Sequence, residues 1–372
     1  MKNVRLAALL LLSVARAAAS EPAVQNPWIR AAFDTQTGRL SLSERATGKV
    51  FASADAFAPA DPTLTVTPFE RHSFTFDALV FTRADGSRVR VMLAPDAPFV
   101  FFQQVVRNGD TPSVTHRVAY PPLAVDLGLA PDALTALGTG GLAKPANNPG
   151  SYMWTALADP ATRRGVVAGW VTTERGSGIV RMDVADGTIR LLPHVDYGRL
   201  ALAPGETIDL ETFAVGLFDD ARLGLEAYAD AVARVYNIRL PPMPTVHCTW
   251  YVDGASRESV MTGRTAYAAS VLKPFGMDVM QIDDGWQLGS SSNGPKKVFI
   301  GHNPTGPYPS GMKPIADTIR AAGMTPGIWL IPFAGSSDDP WFADKTHWFA
   351  KKPDGKPRSE ERRVGKECRS RW

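Results

Sequence analysis

The chain has 372 residues, 44% of them hydrophobic and 21% charged, with a formal net charge of +3 and a pI near 8.8. That length holds two domains. The positive balance sits at the two ends: residues 1–20 carry Lys2, Arg5 and Arg16, and Arg358 to Trp372 carries six Arg or Lys against three Glu. The chain between them is therefore about −3, which leaves no basic patch of the kind that binds nucleic acid.

In chain order, Lys2 and Arg5 precede an apolar run from Leu6 to Ala15, and Ala17-Ala18-Ala19-Ser20 supplies small residues for cleavage. Residues 1–20 read as a secretory signal, too short to span a membrane. No later stretch approaches the roughly 20 apolar residues of a spanning helix. No cysteine lies near the cleavage site, so neither a membrane nor a lipid anchor is expected. The expected location is exported, periplasmic or extracellular. There are two cysteines, Cys248 and Cys368, the second in the charged tail. A single remaining cysteine forms no internal disulfide, and a large core makes one unnecessary.

Residues 21–218 read as an all-β domain. Short strand-like runs at Trp28–Phe33, Arg39–Leu42 and Lys49–Phe51 are broken by Gln36-Thr37-Gly38 and Ala46-Thr47-Gly48. Ala78–Thr82 and Arg88–Leu93 flank Ala84-Asp85-Gly86, a hairpin signal. Phe99–Val106, Val166–Val171, Gly178–Val184 and Thr188–Leu192 follow, the last two separated by Asp186-Gly187. Many short strands with Gly turns favour a β-sandwich.

The period then changes. Leu225, Tyr228, Ala229, Val232, Val235 and Tyr236 mark one face of an amphipathic helix, and Pro241-Pro242-Met243-Pro244 reads as a rigid linker. Residues 219–244 are therefore expected to be a linker helix and a Pro-rich linker. From 245 to 357 strand and helix alternate. Thr245–Trp250, Met277–Ile282 and Thr325–Ile331 are expected strands. Glu258–Leu272, stopped by Pro274 and Gly276, and Gly311–Ala322 are expected helices, and Pro340-Trp341-Phe342 begins a third. A long polar loop is expected from Gly285 to Pro309. Such alternation implies parallel βαβ units, in a barrel or a doubly wound sheet. No Gly-rich phosphate fingerprint follows the first strand, which counts against nucleotide binding.

The sharpest chemical feature is Gln281-Ile282-Asp283-Asp284-Gly285-Trp286-Gln287. In a barrel, the end of a strand faces the active site. The plainer reading is a strand terminus with turn-forming Asp and Gly. Trp286 and the long loop behind it favour a functional role. Adjacent carboxylates do not suit the acid and nucleophile of a glycosidase, which flank one bond from different strands. They do suit recognition of sugar hydroxyls, since polar groups aimed at one hydroxyl reject an epimer that leaves them unpaired. Trp286, Trp250 and Trp329 offer apolar faces to a sugar ring. A metal site would have to draw on His247 and His302, a sparse set, so neither metal nor cofactor is expected.

Three stretches, HCTWYVDG, FGMDVMQIDDGWQ and YPSGMKPIADTIRAAGMTPGIWLIPFAG, together resemble the start of a melibiase barrel, that of glycoside hydrolase family 36 and its clan partner family 27. The resemblance runs from about Val246 to Gly335, and the long β-rich region before it favours family 36. It implies an N-terminal β-supersandwich followed by the first three βα units of an incomplete (β/α)8 TIM barrel. It implies that Asp283 and Asp284 hold galactose hydroxyls at positions 4 and 6, with Trp250 the aromatic at the end of the first strand and Trp329 the third-strand aromatic near the pocket. It places the nucleophile after the fourth strand and the acid/base after the sixth, so neither is assigned. The implied parent is a retaining exo-α-galactosidase acting on an oligosaccharide or other glycoside, and the chain itself is expected to be inactive. Relatives in the clan act on α-N-acetylgalactosaminides or transfer galactose, and a non-catalytic galactoside-binding protein would keep the same pocket. Oligomerisation of the parent stays open. Residues 358–372 resemble the in-frame translation of a sequencing-library adapter, which would end the natural reading frame near Pro357.

Overall fold

The computed structural model describes residues 21–55, 57, 63–253, 257–289, 297–330, 344, 345 and 347. The expected signal at 1–20, the helix expected from Pro340 and the tail from Arg358 lie outside the described residues. The chain divides into two compact units, with the division between Arg239 and Leu240.

The first unit holds two nine-stranded sheets among the described residues. One runs in the order Ala23–Gln25, Ile29–Asp34, Arg39–Glu44, Val50–Ala54, Leu123–Val125, Thr188–Leu202, Ser177–Ala185 and Ser151–Tyr152, with Ser113–Ala119 also paired to Thr188–Leu202. The other runs Gly141–Ala143, Thr135–Gly138, Trp154–Ala158, Gly165–Trp170, Thr207–Phe218, Val100–Arg107, Arg88–Leu93, Phe74–Thr82 and Thr63–Arg71. The strands in both sheets pair antiparallel. The expected hairpin closes at Thr82↔Arg88. Gly86 takes φ +82° there, and Asp85 Oδ1 accepts from the Ser87 N–H at 2.8 Å.

Alternation along the strands builds two cores. Leu79, Val91, Phe102, Trp170 and Phe213 of the second sheet pack with Leu40, Leu42 and Leu191 of the first. Their strand neighbours Ala78, Met92, Phe101 and Ala214 face the opposite way. That second face is covered by the helix Ala221–Val235, through Ala221, Tyr228 and Ala231. A strand buried on both faces reads as a continuous apolar run rather than as an alternation. Gly165–Trp170 is of this kind, and Val100–Arg107 is buried on both faces over its first six residues although it carries Gln103 and Gln104. The helix read from sequence as a linker is thus packed on the second sheet.

The sequence expectation covers nine of the eighteen strands described in this unit; Thr63–Arg71, Ser113–Ala119, Trp154–Ala158 and Thr207–Phe218 are among those it leaves out. Thr188–Leu192 is the first third of a 15-residue strand that continues to Leu202, with its register shifting between Asp196 and Leu200. Thr207–Phe218 was not expected at all, yet it lies in the middle of the second sheet. It carries Asp209 and Glu211 where an apolar pattern would be sought. Glu211 is only 2% exposed, and its carboxylate accepts from Thr172 Oγ1 at 2.7 Å and from the backbone N–H groups of Glu174 and Arg175 at 3.2 and 2.9 Å. Asp209 is paired with Arg71 and Arg90. Buried carboxylates are tolerated when their acceptors are met in this way.

The second unit contains a three-stranded parallel sheet in the order Thr245–Cys248, Met277–Ile282, Thr325–Ile328. The first crossing is the helix Glu258–Tyr267, continued by a π-turn at Ala268–Leu272 and ended by Gly276 at φ +93°. The second includes the helix Met312–Ala321, ended by Gly323 at φ +74°. Met261, Ala268, Ile315 and Ile319 from these helices pack on Met280 and Ile282 of the middle strand. The stretch expected as a polar loop contains two paired strands, Gln287–Gly289 and Lys297–His302, with Gln287 opposite His302. The short apolar run Val298-Phe299-Ile300 was hidden by the Gly, Ser and Asn before it. The described residues do not close a barrel.

Candidate functional site

A parallel sheet brings the carboxyl ends of its strands to one edge. Here those ends are Cys248-Thr249, Ile282-Asp283 and Ile328-Trp329. The edge is stitched by backbone contacts that continue the ladders past the last paired residues. The Thr249 N–H donates to Gln281 O at 3.3 Å, and the Trp329 N–H donates to Ile282 O at 2.8 Å. The Asp283 N–H donates to the hydroxyl of Thr249 at 3.0 Å. Thr249 is 2% exposed, so this anchor is dry.

Asp283 is held at both oxygens. Its Oδ2 accepts from the Cys248 thiol at 3.1 Å and from Gln281 Nε2 at 3.2 Å, and its Oδ1 accepts from the Asp284 N–H at 2.8 Å. Asp284 Oδ1 accepts from the Gly285 N–H at 2.7 Å. Gly285 sits at φ +102°, a conformation costly for any residue with a Cβ. That is the physical reason for a glycine after the acidic pair. The chain then turns so that Trp286 can donate its indole N–H to Trp329 O at 2.8 Å, while Trp286 O accepts from the Asn303 N–H at 3.0 Å.

Asp283, Asp284, Trp286 and Trp329 are therefore brought to one sheet edge, the first three by the turn at Gly285 and Trp329 by its bonds to Ile282 and Trp286. All four are half-buried, within reach of solvent. Trp250 reaches the same edge through the backbone of Thr249. The expectation that it ends the first strand is corrected: the strand stops at Cys248, and Trp250 opens a short helical turn, Trp250–Asp253, with its side chain 48% exposed. The third strand likewise stops at Ile328, and Trp329 follows it. No role at this edge was read from sequence for Cys248, Thr249 or Gln281. Cys248 and Gln281 are cross-strand partners, and sequence does not fix the register that pairs them.

Burial is the main cause that pushes the Cys248 thiol above its ordinary range, and the hydrogen bond to Asp283 and that carboxylate's charge add to it. The thiol is thus a protonated donor at neutral pH. Burial and the charge of Arg264 push His247 down, toward the neutral imidazole. Among the described residues, no group of three or more His, Cys, Asp or Glu side chains comes together in a way that could hold a metal ion. The arrangement offers fixed carboxylate acceptors beside aromatic surface, which is the chemistry of hydroxyl recognition.

Comparison with solved structures gives the fold its relatives. An α-galactosidase from Lactobacillus brevis superposes with a TM-score of 0.58 at 15% identity, over 90% of this chain and 58% of that one. The glycoside hydrolase family 36 α-galactosidase AgaA from Geobacillus stearothermophilus gives 0.57 at 14% identity, over 92% and 60%. The galactosidase domain of the α-galactosidase–sucrose kinase AgaSK gives 0.54 at 11%, over 90% and 60%. The chain has the fold of family 36 α-galactosidases. It spans about 60% of the length of the solved structures it matches. Variants of AgaA are crystallised with stachyose and with raffinose. A search against protein-family models finds no match.

Proposed function

We propose that this chain carries the sugar-recognition part of an exported, retaining exo-α-galactosidase. The observation that supports this most is the fixed pair Asp283-Asp284, set beside Trp286 and Trp329 at the carboxyl edge of a parallel sheet, in a chain with the α-galactosidase fold. In this reading the three parallel strands open a (β/α)8 barrel, whose carboxyl face is the usual place for chemistry. The two carboxylates accept hydrogen bonds from galactose hydroxyls at positions 4 and 6. Trp286, Trp329 and Trp250 cover apolar ring surface.

Hydrolysis with retention needs two further carboxyl groups about 5–5.5 Å apart. One attacks the anomeric carbon as the bond to the leaving oxygen breaks, and the other gives that oxygen its proton. The second then takes a proton from the water that releases the sugar. No residue of this chain is assigned to either role, and the 372-residue chain is expected to recognise galactosides without turning them over. The substrate class is an oligosaccharide or other glycoside with a terminal α-galactose. Recognition without turnover is also what a non-catalytic galactoside-binding protein would show, and an α-N-acetylgalactosaminidase or a galactosyl transferase of the clan would use the same acceptors.

Titration of the chain with methyl α-galactoside and methyl α-glucoside tests the core of this reading. Galactoside binding at least tenfold tighter is expected, because the epimer leaves a fixed, half-buried acceptor unpaired. Equal binding of the two, or none of either, would remove the recognition role from the pair.

A further inference from the structure

Asp283 is surrounded by more donors than recognition of a hydroxyl requires. Two of them converge on one oxygen. Cys248 lies on the neighbouring strand, opposite Gln281 in the ladder, and both reach Asp283 Oδ2, at 3.1 and 3.2 Å. The Gln281 amide also lies 3.8 Å from the Cys248 sulfur, so the three side chains form a closed triangle. With Oδ1 accepting from the Asp284 N–H, both oxygens of the carboxylate are held, and the Asp283 backbone is anchored separately on Thr249.

We propose that Cys248 is a positioning residue for Asp283: its thiol fixes the direction of the carboxylate that meets the sugar. This inference rests on the galactoside reading of the acidic pair. The choice of donor has a physical logic. A carboxylate that is oriented before the ligand arrives loses little freedom on binding. A hydroxyl or ammonium in the same place would also fix it, but would withdraw more of the charge that a sugar hydroxyl must meet. A thiol is a weak donor, so it fixes direction while leaving Asp283 a strong acceptor. The raised thiol pKa keeps the proton on sulfur, and a thiolate there would repel the carboxylate it now supports.

Two measurements on the full chain test this, in a Cys368→Ser background so that Cys248 is the only thiol. The first is the pH profile of alkylation by iodoacetamide. Alkylation follows the thiolate fraction, so Asp283→Asn should shift the profile to lower pH and raise the rate at pH 7.5 by about threefold or more. An unchanged profile would overturn the pairing, whatever the chain binds. The second is calorimetric titration with methyl α-galactoside. Cys248→Val keeps volume and removes the donor, and should weaken binding by about tenfold. Cys248→Ser restores a donor and should recover most of that loss. Binding by Cys248→Val equal to that of the parent would overturn the positioning role. If the parent binds no galactoside while the alkylation profile shifts with Asp283→Asn, the Cys248–Asp283 pairing stands and the galactoside reading of the site falls.

Discussion

The two carboxylates of the acidic pair do not have equivalent surroundings. Asp283 is gripped by Cys248, Gln281 and a backbone N–H, whereas Asp284 Oδ1 is anchored by the Gly285 N–H beside it. In a longer chain that turns over α-galactosides, as proposed above, Asp284→Ala is expected to lower kcat/KM on an α-galactoside by on the order of 10²-fold or more. Asp283→Ala should act similarly, and full activity in both variants would leave the pair as a strand terminus only. Elsewhere His194 is 6% exposed, and its Nε2 has no hydrogen-bond partner among the described residues. Burial, then the charge of Arg117, pushes its pKa down, while Asp196 opposes the shift. The unfolded chain therefore binds a proton that the folded chain resists. Stability should be fully present above about pH 6.5 and be lost progressively as pH falls below it. His72 and His247 shift in the same direction. A melting temperature that falls between pH 7 and 5, with a shallower fall in His194→Phe, is the expected result, and equal slopes would remove His194 as a cause. At this scale, residue types were readable from sequence: two Asp, a Gly and a Trp in a row carry their chemistry openly. The supporting donors were not, because Cys248 lies 35 positions from Asp283 and only strand register brings them together.

The helix Ala221–Val235 shows what an element needs from its partner. Tyr228 is buried and donates its hydroxyl hydrogen to Trp170 O at 2.5 Å. It fits because residue 169 is glycine: a Cβ there would lie 2.6 Å from the Tyr228 ring. Gly224 is in the same position against Phe218, also at 2.6 Å. Gly169→Ala is expected to cost about 1–3 kcal/mol through overpacking, and Tyr228→Phe about 1 kcal/mol through the lost hydrogen bond. Urea denaturation measures both, and a neutral Gly169→Ala would mean that the helix docks more loosely than described. The helix itself was legible from its apolar spacing, but its attachment to the sheet was not. Glycines 169 and 224 give no sign in sequence of the rings that need their space. The strand Thr207–Phe218 was missed for the opposite reason: Asp209 and Glu211 interrupt its apolar pattern, and the groups that satisfy them come from Arg71, Arg90 and the 172–175 segment.

At the scale of the whole molecule, the first unit carries its own cores and the second exposes more of its framework. Residues 21–239 enclose one core between two sheets and a second under the helix. In the second unit, the strand Thr325–Ile328 has one neighbour among the described residues, and Tyr251 and Phe275 are 86% and 88% exposed. An unpaired strand edge and exposed apolar side chains each favour association, and Ile328 at that edge is itself 44% exposed. Residues 21–239 expressed alone are expected to be soluble and to melt cooperatively, and residues 21–357 to scatter more light at equal concentration. A longer chain that stays monodisperse would count against an exposed edge. What the sequence determined by itself is the change from a β-rich region to alternating strand and helix, the turns that need Gly86 and Gly285, and the presence of an acidic pair followed by Trp286. These follow from local sterics and from alternation, which act between residues close in the chain. Tertiary structure alone decided that strand Thr207–Phe218 tolerates a buried Glu211, that the helix Ala221–Val235 packs on a sheet, and that Cys248 meets Asp283. Each depends on strand register and on the space left by distant side chains, and neither is written in any single stretch of sequence.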